Sequence, residues 1–158
     1  MATARLVLLV RGNSGQGKSW LAEKLLSDYA FRVLSVDTCY VEFVETQVPA
    51  LFFPAMKKYI KAHYDYLLSK VSYSKKKFGR DFTNEWREYL LERIITKLKL
   101  GAVQLVVEGY LLYDCSFFLR QRLSKRFFVQ EIIVEKRKYR LISKRNVVSI
   151  KQIAALGF

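Results

Sequence analysis

The sequence predicts an α/β domain in which helices flank a mostly parallel sheet. Apolar runs that are continuous rather than alternating are typical of buried parallel strands, and amphipathic helical patterns separate them here. The four runs cover residues 6–10, 31–36, 103–107 and 127–134. With 158 residues, the chain is long enough for one three-layer core, so we expect a single domain over residues 1–158.

A glycine-rich loop follows the first run and precedes a helical pattern. Residues 12–19 read GNSGQGKS and match the G-x-x-x-x-G-K-[ST] phosphate loop. Its glycines let backbone N–H groups surround phosphates, while Lys18 can reach the β and γ oxygens and Ser19 can bind Mg²⁺. The motif predicts nucleoside triphosphate binding and a P-loop NTPase fold, but it does not indicate which phosphate chemistry follows. The predicted nucleotide-binding residues are Gly12, Asn13, Ser14, Gly15, Gln16, Gly17, Lys18, Ser19 and Trp20.

Two acidic residues directly follow predicted strands. Asp37 comes after the second run and Glu108 after the third. Because the carboxyl ends of parallel strands meet at the ligand crevice, we expect both acids near the phosphate loop. A carboxylate there can accept a proton from an acceptor hydroxyl or bind Mg²⁺. Asp37 is therefore the predicted base, and Ser19, Asp37 and Glu108 are the predicted metal ligands. The open alternative for each acid is a strand-end cap or a surface ion pair.

Between the second and third runs, apolar residues recur at helical spacing, which predicts a helical insertion over about residues 45–100. Two helical stripes flank a basic connector at residues 72–82. The first stripe comprises Met56, Tyr59, Ile60, His63, Leu67 and Val71, and the second comprises Trp86, Tyr89, Leu90, Ile94 and Leu98. Gly101 is placed to end the second helix. We expect the insertion to recognise the acceptor, with Arg80 and Tyr40 as substrate-binding residues.

The chain carries a net charge of +14, from 28 basic and 14 acidic residues. Residues 116–158 hold eleven of the basic residues and two of the acidic ones. Such an excess attracts polyanions and leaves nucleic acid open as a partner, although a solvated basic face is the favoured explanation. Cys39 and Cys115 have no C-x-x-C spacing, and no segment resembles a leader or a membrane span. We therefore expect a soluble protein of the reducing cytoplasm.

Two segments resemble those of small-molecule kinases. Residues 35–40, SVDTCY, are similar to the S-x-D-x-F-Y stretch of uridine kinases, although Cys39 replaces the usual aromatic residue. Residues 106–113, VVEGYLLY, resemble the V-E-G-x-L segment of uridine kinases and the E-G-F-L-L-F run of nicotinamide riboside kinases. The resemblance implies a P-loop NTPase fold of the nucleoside/nucleotide kinase-like type. It also implies ATP-dependent phosphorylation of a hydroxyl on a nucleoside-like or other small metabolite, with Asp37 as base and Glu108 helping to place Mg²⁺.

The same resemblance implies a mobile lid that supplies arginines to the transferring phosphoryl group. Arg137 and Arg140, within a basic segment at about residues 135–146, are the predicted catalytic arginines, and Arg145 is a further candidate. The segment is equally consistent with a β-hairpin partner of the fourth run. At the tail, residues 149–156 predict a short helix, and a strand over residues 146–150 is the alternative.

Three functions remain open from the sequence. The first is a small-molecule kinase, favoured by Asp37 together with the Glu-Gly segment. The second is a polynucleotide 5′-hydroxyl kinase, favoured by the charge and by aromatic residues near basic ones. The third is a nucleotide-binding regulator without transfer activity.

Overall fold

The computed structural model describes residues 5–13, 15–46, 83–101, 104–109, 112 and 115–156. Predictions about Ser14, Arg80 and residues 47–82 lie outside these ranges. The strands are β1 (Leu6–Arg11), β2 (Arg32–Ser35), β3 (Gln104–Glu108), β4 (Phe128–Glu135), β5 (Lys138–Leu141) and β6 (Asn146–Val148). The helices are α1 (Lys18–Tyr29), α2 (Val36–Thr46), α3 (Thr83–Lys99), α4 (Ser116–Leu123) and α5 (Ile150–Ala154).

The six strands form one mostly parallel sheet in the order β2-β3-β1-β4-β5-β6. The first four strands in this order are parallel, and β5 and β6 add antiparallel pairings at the edge. All four predicted runs form parallel strands, and residues 6–10 of the central β1 are completely buried. The prediction of an α/β fold with a mostly parallel sheet is confirmed.

Helices cover both faces of the sheet. Alternate residues of a strand point to opposite faces, so Leu8 of β1 joins one apolar cluster and Leu9 joins the other. The cluster around Leu8 includes residues of α1 and α5. The cluster around Leu9 includes residues of α2, α3 and α4. This arrangement is compatible with a three-layer α/β fold.

The second strand ends earlier than the sequence predicts. It stops at Ser35, and α2 begins at Val36, so Asp37 lies in the first turn of a helix instead of after a strand. The Ser35 side chain accepts a hydrogen bond from the Thr38 N–H group at 3.2 Å. This is the N-cap interaction that starts a helix, and an acid in the first turn complements the helix dipole. Local capping therefore overrides the apolar pattern at Val36.

The second predicted stripe of the insertion forms helix α3. Its apolar residues face the core, with Trp86, Leu90 and Ile94 completely buried. The helix ends where expected, because Gly101 has a φ of 100° and its N–H group donates to the Leu98 carbonyl at 3.2 Å. No described helix is long and apolar enough to cross a membrane.

The C-terminal part of the chain contains both alternatives that the sequence left open for the tail. A strand, β6, and a short helix, α5, follow each other and meet at Ser149. The Ser149 hydroxyl accepts the Gln152 N–H group, and the Gln152 side chain accepts the Ser149 N–H group. This capping box is a strong helix start. Residues 135–146 form the turn after β4, strand β5 and the following turn, which is the hairpin alternative for the basic segment.

Candidate functional site

A cleft of about 850 Å³ opens at the carboxyl ends of the parallel strands. Its size lies within the range of small-ligand sites. The cleft is lined by residues of the loop after β1, the start of α1, the β2–α2 junction, the end of β3, the β4–β5 hairpin and the start of α5. These residues are Gly15, Gly17, Lys18, Ser19, Trp20, Ser35, Asp37, Glu108, Arg137, Tyr139 and Ile150. Most of the residues that the sequence predicts to bind nucleotide or metal thus share one cavity.

Strand register explains why the acids meet the glycine loop, defined here as residues 12–19. Glu108 pairs with Val10 of β1 on one side and with Ser35 of β2 on the other. The glycine loop leaves β1 just after Val10, and Asp37 follows Ser35 by two residues. Glu108 therefore lies at the common end of three adjacent strands, between the loop and the first turn of α2.

The glycine loop adopts backbone angles that require glycine at two positions. Gly12 has a φ of 152°, and a Cβ atom there would clash with the Val134 carbonyl oxygen. Gly17 has a φ of 103° and forms the N-cap of α1. The loop consequently passes close to the end of β4 before the chain turns into α1.

Lys18 bridges the glycine loop from within. Its Nζ atom donates hydrogen bonds to the carbonyl oxygens of Gly12 at 2.5 Å and Asn13 at 2.8 Å. Burial lowers the pKa of Lys18, while the negative charges of Glu108 and Asp37 act in the opposite direction. The ammonium group is thus held in a largely desolvated position beside two carboxylates, where its field is weakly screened.

Gly109, which follows Glu108, lets the first turn of α2 lie close to the end of β3. A Cβ atom on Gly109 would lie 2.9 Å from Asp37 Oδ1 and 3.0 Å from the Val36 Cβ atom. A side chain there would push α2 away from β3. Burial, and then the Asp37 charge, raise the pKa of Glu108, whereas Lys18 lowers it. The cleft therefore concentrates negative charge at one point.

This donor set fits Mg²⁺ in a nucleotide complex. Mg²⁺ prefers oxygen ligands and is commonly held by one or two carboxylates together with phosphate oxygens and water. Asp37, Glu108 and the Ser19 hydroxyl offer such oxygens on the cleft wall. A divalent cation there would also relieve the repulsion that raises the Glu108 pKa. Among the described residues, no group of three or more histidines, cysteines or acids forms a metal cluster.

The β4–β5 hairpin supplies the cleft with one of the two predicted catalytic arginines. Arg137 lies in the turn after β4 and lines the cleft beside Gly17. Arg140 is exposed on β5 and does not line the cleft. The alternation of β5 explains the difference, because Tyr139 is buried on the cleft side and its neighbours point away.

Tyr40, which the sequence predicts to bind substrate, does not line the cleft. Its side chain is completely buried. The ring packs edge-on against Trp86, with 4.9 Å between the ring centroids, and lies 6.3 Å from Phe43. The reason is the helical start at Val36: on a helix, Tyr40 lies one turn beyond Val36 and faces the core formed with α3.

Three lining residues were missed in the sequence. Ser35 could have been found, because it begins the segment that resembles uridine kinases and because serine is a common helix N-cap residue. Tyr139 and Ile150 carried no local signal, because the one belongs to a basic segment and the other begins the tail helix. Tyr139 belongs to the apolar cluster that also contains residues of α1, and Ile150 packs against this cluster. Trp20, which was predicted, is 50% exposed at the cleft.

The remaining predicted residues support the loop without lining the cleft. Gly12 and Asn13 accept the hydrogen bonds from Lys18, and Gln16 contacts the β4–β5 turn. The roles predicted for Ser14 and Arg80 fall outside the described residues.

Comparisons with known proteins bear on the fold. No family model matches the chain, and no curated protein matches it. Among solved structures, the crystal structure of TT1252 from Thermus thermophilus is similar, with a TM-score of 0.52 and 20% sequence identity. The match covers 96% of this chain and 78% of TT1252. At this identity the likeness concerns the fold alone, and it supports the α/β arrangement described above.

Proposed function

We propose that the protein is a P-loop kinase that transfers a phosphoryl group from ATP to a hydroxyl of a nucleoside-like or other small metabolite. The observation that carries the proposal is the meeting of Lys18, Asp37 and Glu108 in one cleft beside the glycine loop. A cation and two acids at the carboxyl ends of parallel strands are the groups that phosphoryl transfer uses.

Each group has a role that its position supports. The Lys18 ammonium binds phosphate oxygens, and the backbone N–H groups of the glycine loop surround them. Glu108 and Ser19 would hold Mg²⁺, which supplies charge neutralisation on the phosphates. Arg137 reaches the same cleft from the hairpin and can share the charge of the transferring group.

Asp37 is the proposed base. It accepts the proton of the acceptor hydroxyl as that oxygen bonds to the γ-phosphorus, and ADP leaves with the electrons of the broken P–O bond. Its place in the first turn of α2, beside Glu108, holds the carboxylate at the cleft wall. Position in the cleft supports Asp37 in this role.

The test is ADP release from Mg-ATP with a panel of nucleosides, ribosides and other small alcohols. We expect one class of acceptor to stimulate release, and Lys18→Ala to abolish the stimulation. Asp37→Asn should retain ATP binding and lose turnover by about 10²-fold or more. Asp28→Asn, a change of an exposed acid on α1, is the matched control.

Three outcomes decide between the functions. Near-normal turnover by Asp37→Asn would refute the assignment of the base. Nucleotide binding without acceptor-stimulated ADP release would favour a regulator. Absence of Mg-ATP binding by the wild-type protein would refute the proposed function as a whole.

A polynucleotide 5′-hydroxyl kinase is the second candidate, and one observation favours it. Exposed cations run along the hairpin that brings Arg137 to the cleft: Lys136, Arg137, Lys138, Arg140, Lys144 and Arg145. We call this set the cationic hairpin. A polyanionic acceptor could lie along it with its end in the cleft. Stimulation of ADP release by 5′-hydroxyl oligonucleotides, and by no small alcohol, would establish this function instead.

A further inference from the structure

The turn between β4 and β5 has a backbone conformation that its sequence does not favour. Glu135 pairs with Lys138, which leaves a two-residue turn of Lys136 and Arg137. Their φ angles are 49° and 61°, so both residues are left-handed. Such two-residue turns favour Asn-Gly or Gly-Gly, because side chains are strained at positive φ. Two consecutive basic residues in this conformation need contacts that hold them there.

Gln16 of the glycine loop provides those contacts. Its side-chain oxygen Oε1 accepts a hydrogen bond from the Lys136 N–H group at 2.6 Å. Its main-chain carbonyl accepts a second from the Arg137 N–H group at 3.1 Å. Both N–H groups of the strained turn are thus bound by one residue that lies 120 positions earlier in the chain. The main-chain bond is available to any residue at position 16, whereas the side-chain bond needs the amide.

The same turn brings Arg137 over the glycine loop. A Cβ atom on Gly17 would lie 3.4 Å from the Arg137 Cγ atom, so the stem of this arginine packs directly on the loop. Arg137 lines the cleft together with Lys18 and Ser19. Its position depends on the turn, because the left-handed geometry determines where the side chain leaves the backbone.

We infer that Gln16 is a positioning residue whose side-chain amide holds the β4–β5 turn in its left-handed form, so that Arg137 is aligned with phosphates bound in the glycine loop. The inference rests on the proposed function for its ligand. It goes beyond that function because it assigns to Gln16 a task performed through Arg137 and not through contact with the nucleotide.

A double-mutant cycle tests the coupling between Gln16 and Arg137. The dissociation constant of Mg-ATP and the separate kcat and KM values are measured for wild type, Gln16→Ala, Arg137→Ala and the double variant. We expect each single change to weaken kcat/KM by about 10-fold. We also expect the double variant to resemble Arg137→Ala, because Gln16 acts through that residue. Gln121→Ala, which removes an exposed glutamine on α4, is the matched control.

A rescue experiment separates positioning from direct contact with the nucleotide. Asparagine tolerates the left-handed conformation better than other side chains, and glutamine does not share this property. In the Gln16→Ala background, Lys136→Asn should recover part of the lost kcat/KM, while Lys136→Gln should recover none. Both changes remove the same charge, so a difference between them reports the turn conformation.

Hydrogen exchange in the free protein measures the same contact without nucleotide. Gln16→Ala should increase exchange at the Lys136 amide, while amides of α3 keep their protection. Unchanged exchange at the Lys136 amide would overturn the inference. Additive effects of Gln16→Ala and Arg137→Ala on kcat/KM for Mg-ATP would overturn it as well. If exchange rises as expected but Mg-ATP binds neither to wild type nor to any variant, the proposed function fails and the assigned alignment fails with it, while the contact itself stands.

Discussion

Glu108 ends β3 at the point where three strands meet, and its carboxyl group is costly to keep charged there. Burial and the neighbouring Asp37 charge both raise its pKa. A protein without a use for this carboxylate would be more stable with a neutral side chain of the same shape. Residues that lower stability in a cleft while carrying perturbed pKa values are typical of functional sites.

Glu108→Gln should raise the melting temperature of the nucleotide-free protein at pH 7. A group whose folded pKa is raised contributes stability that is complete below its unfolded pKa and is lost as the pH rises through the folded pKa. Wild type therefore loses this contribution as the pH rises, whereas the neutral glutamine does not titrate. The gain from Glu108→Gln should shrink as the pH falls towards 4.5, the ordinary value for the group.

Thermal unfolding between pH 4.5 and 7 checks this prediction, with Glu23→Gln on the exposed face of α1 as the control. A lower melting temperature for Glu108→Gln than for wild type at pH 7 would contradict it. In the presence of Mg-ATP the order should reverse, since the variant lacks a proposed ligand of Mg²⁺.

Trp20 offers a direct signal for occupation of the cleft. It is 50% exposed beside the glycine loop, whereas Trp86, the other tryptophan, is completely buried in the core. We expect Mg-ATP to change the fluorescence of Trp20 and to leave that of Trp86 unchanged. The signal should vanish in Trp20→Phe, and its persistence in that variant would place the change elsewhere.

At the scale of elements, an ion-pair group joins two strands and a helix. Glu131 of β4 is nearly completely buried and pairs with Arg11 of β1 at 2.6 Å. It also pairs with Arg120 of α4 at 3.4 Å. The Arg11–Glu131 pair joins β1 to β4, and Arg11 directly precedes the glycine loop. A buried carboxylate needs such partners, because removing them leaves an uncompensated charge.

Arg11→Ala should destabilise the protein more than Arg120→Ala does. The Arg11 side chain is 24% exposed and makes the shorter pair, while the Arg120 side chain is 41% exposed. We expect a loss of about 2–4 kcal/mol in the free energy of unfolding for Arg11→Ala. For Arg120→Ala we expect about 1 kcal/mol or less.

Urea denaturation measures both losses. Arg122→Ala, which breaks the exposed pair with Glu88, is the control and should cost less than about 1 kcal/mol. Equal losses for Arg11→Ala and Arg120→Ala would show that burial does not set the strength of this group.

At the scale of the whole molecule, part of the net charge of +14 lies beside the proposed ligand site, on the cationic hairpin. The cationic hairpin is anchored at the cleft by Arg137 and continues into the antiparallel edge of the sheet. Its field attracts anions of any kind and raises their association rate. The charge of the protein therefore does not distinguish a nucleotide from a nucleic acid as ligand. The salt dependence of binding does distinguish them.

Single-stranded oligonucleotides should bind weakly and in a salt-dependent manner, without stimulating ADP release. Each phosphate neutralised on a single strand contributes about −0.7 to the slope of log K against log salt. Replacing both Lys144 and Arg145 by alanine should make the slope shallower by about 1.4 if each contacts one phosphate. The measurement is a titration at several salt concentrations. A slope that the double change leaves unaltered would exclude these residues from the binding surface.

The candidate site was predictable where chemistry depends on spacing along the chain. The positions of Lys18 and Ser19 follow from the motif, and those of Asp37 and Glu108 follow from the ends of apolar runs. The burial of Tyr40 was not predictable, because the boundary between β2 and α2 depends on the Ser35 cap, which an apolar run conceals. Arg140 was grouped with Arg137 because a basic segment does not reveal which of its residues lies in a turn.

The sequence by itself determined the parallel strands, helices α1 and α3 and the glycine loop, because each depends on residues that are near one another in the chain. Only the tertiary structure decided that Gln16 binds the turn at Lys136 and that Tyr139 and Ile150 line the cleft. These contacts join residues more than 100 positions apart, and they depend on strand order and register. The local sequence pattern predicts neither the strand order nor the register, because many strand orders would bury the same apolar runs.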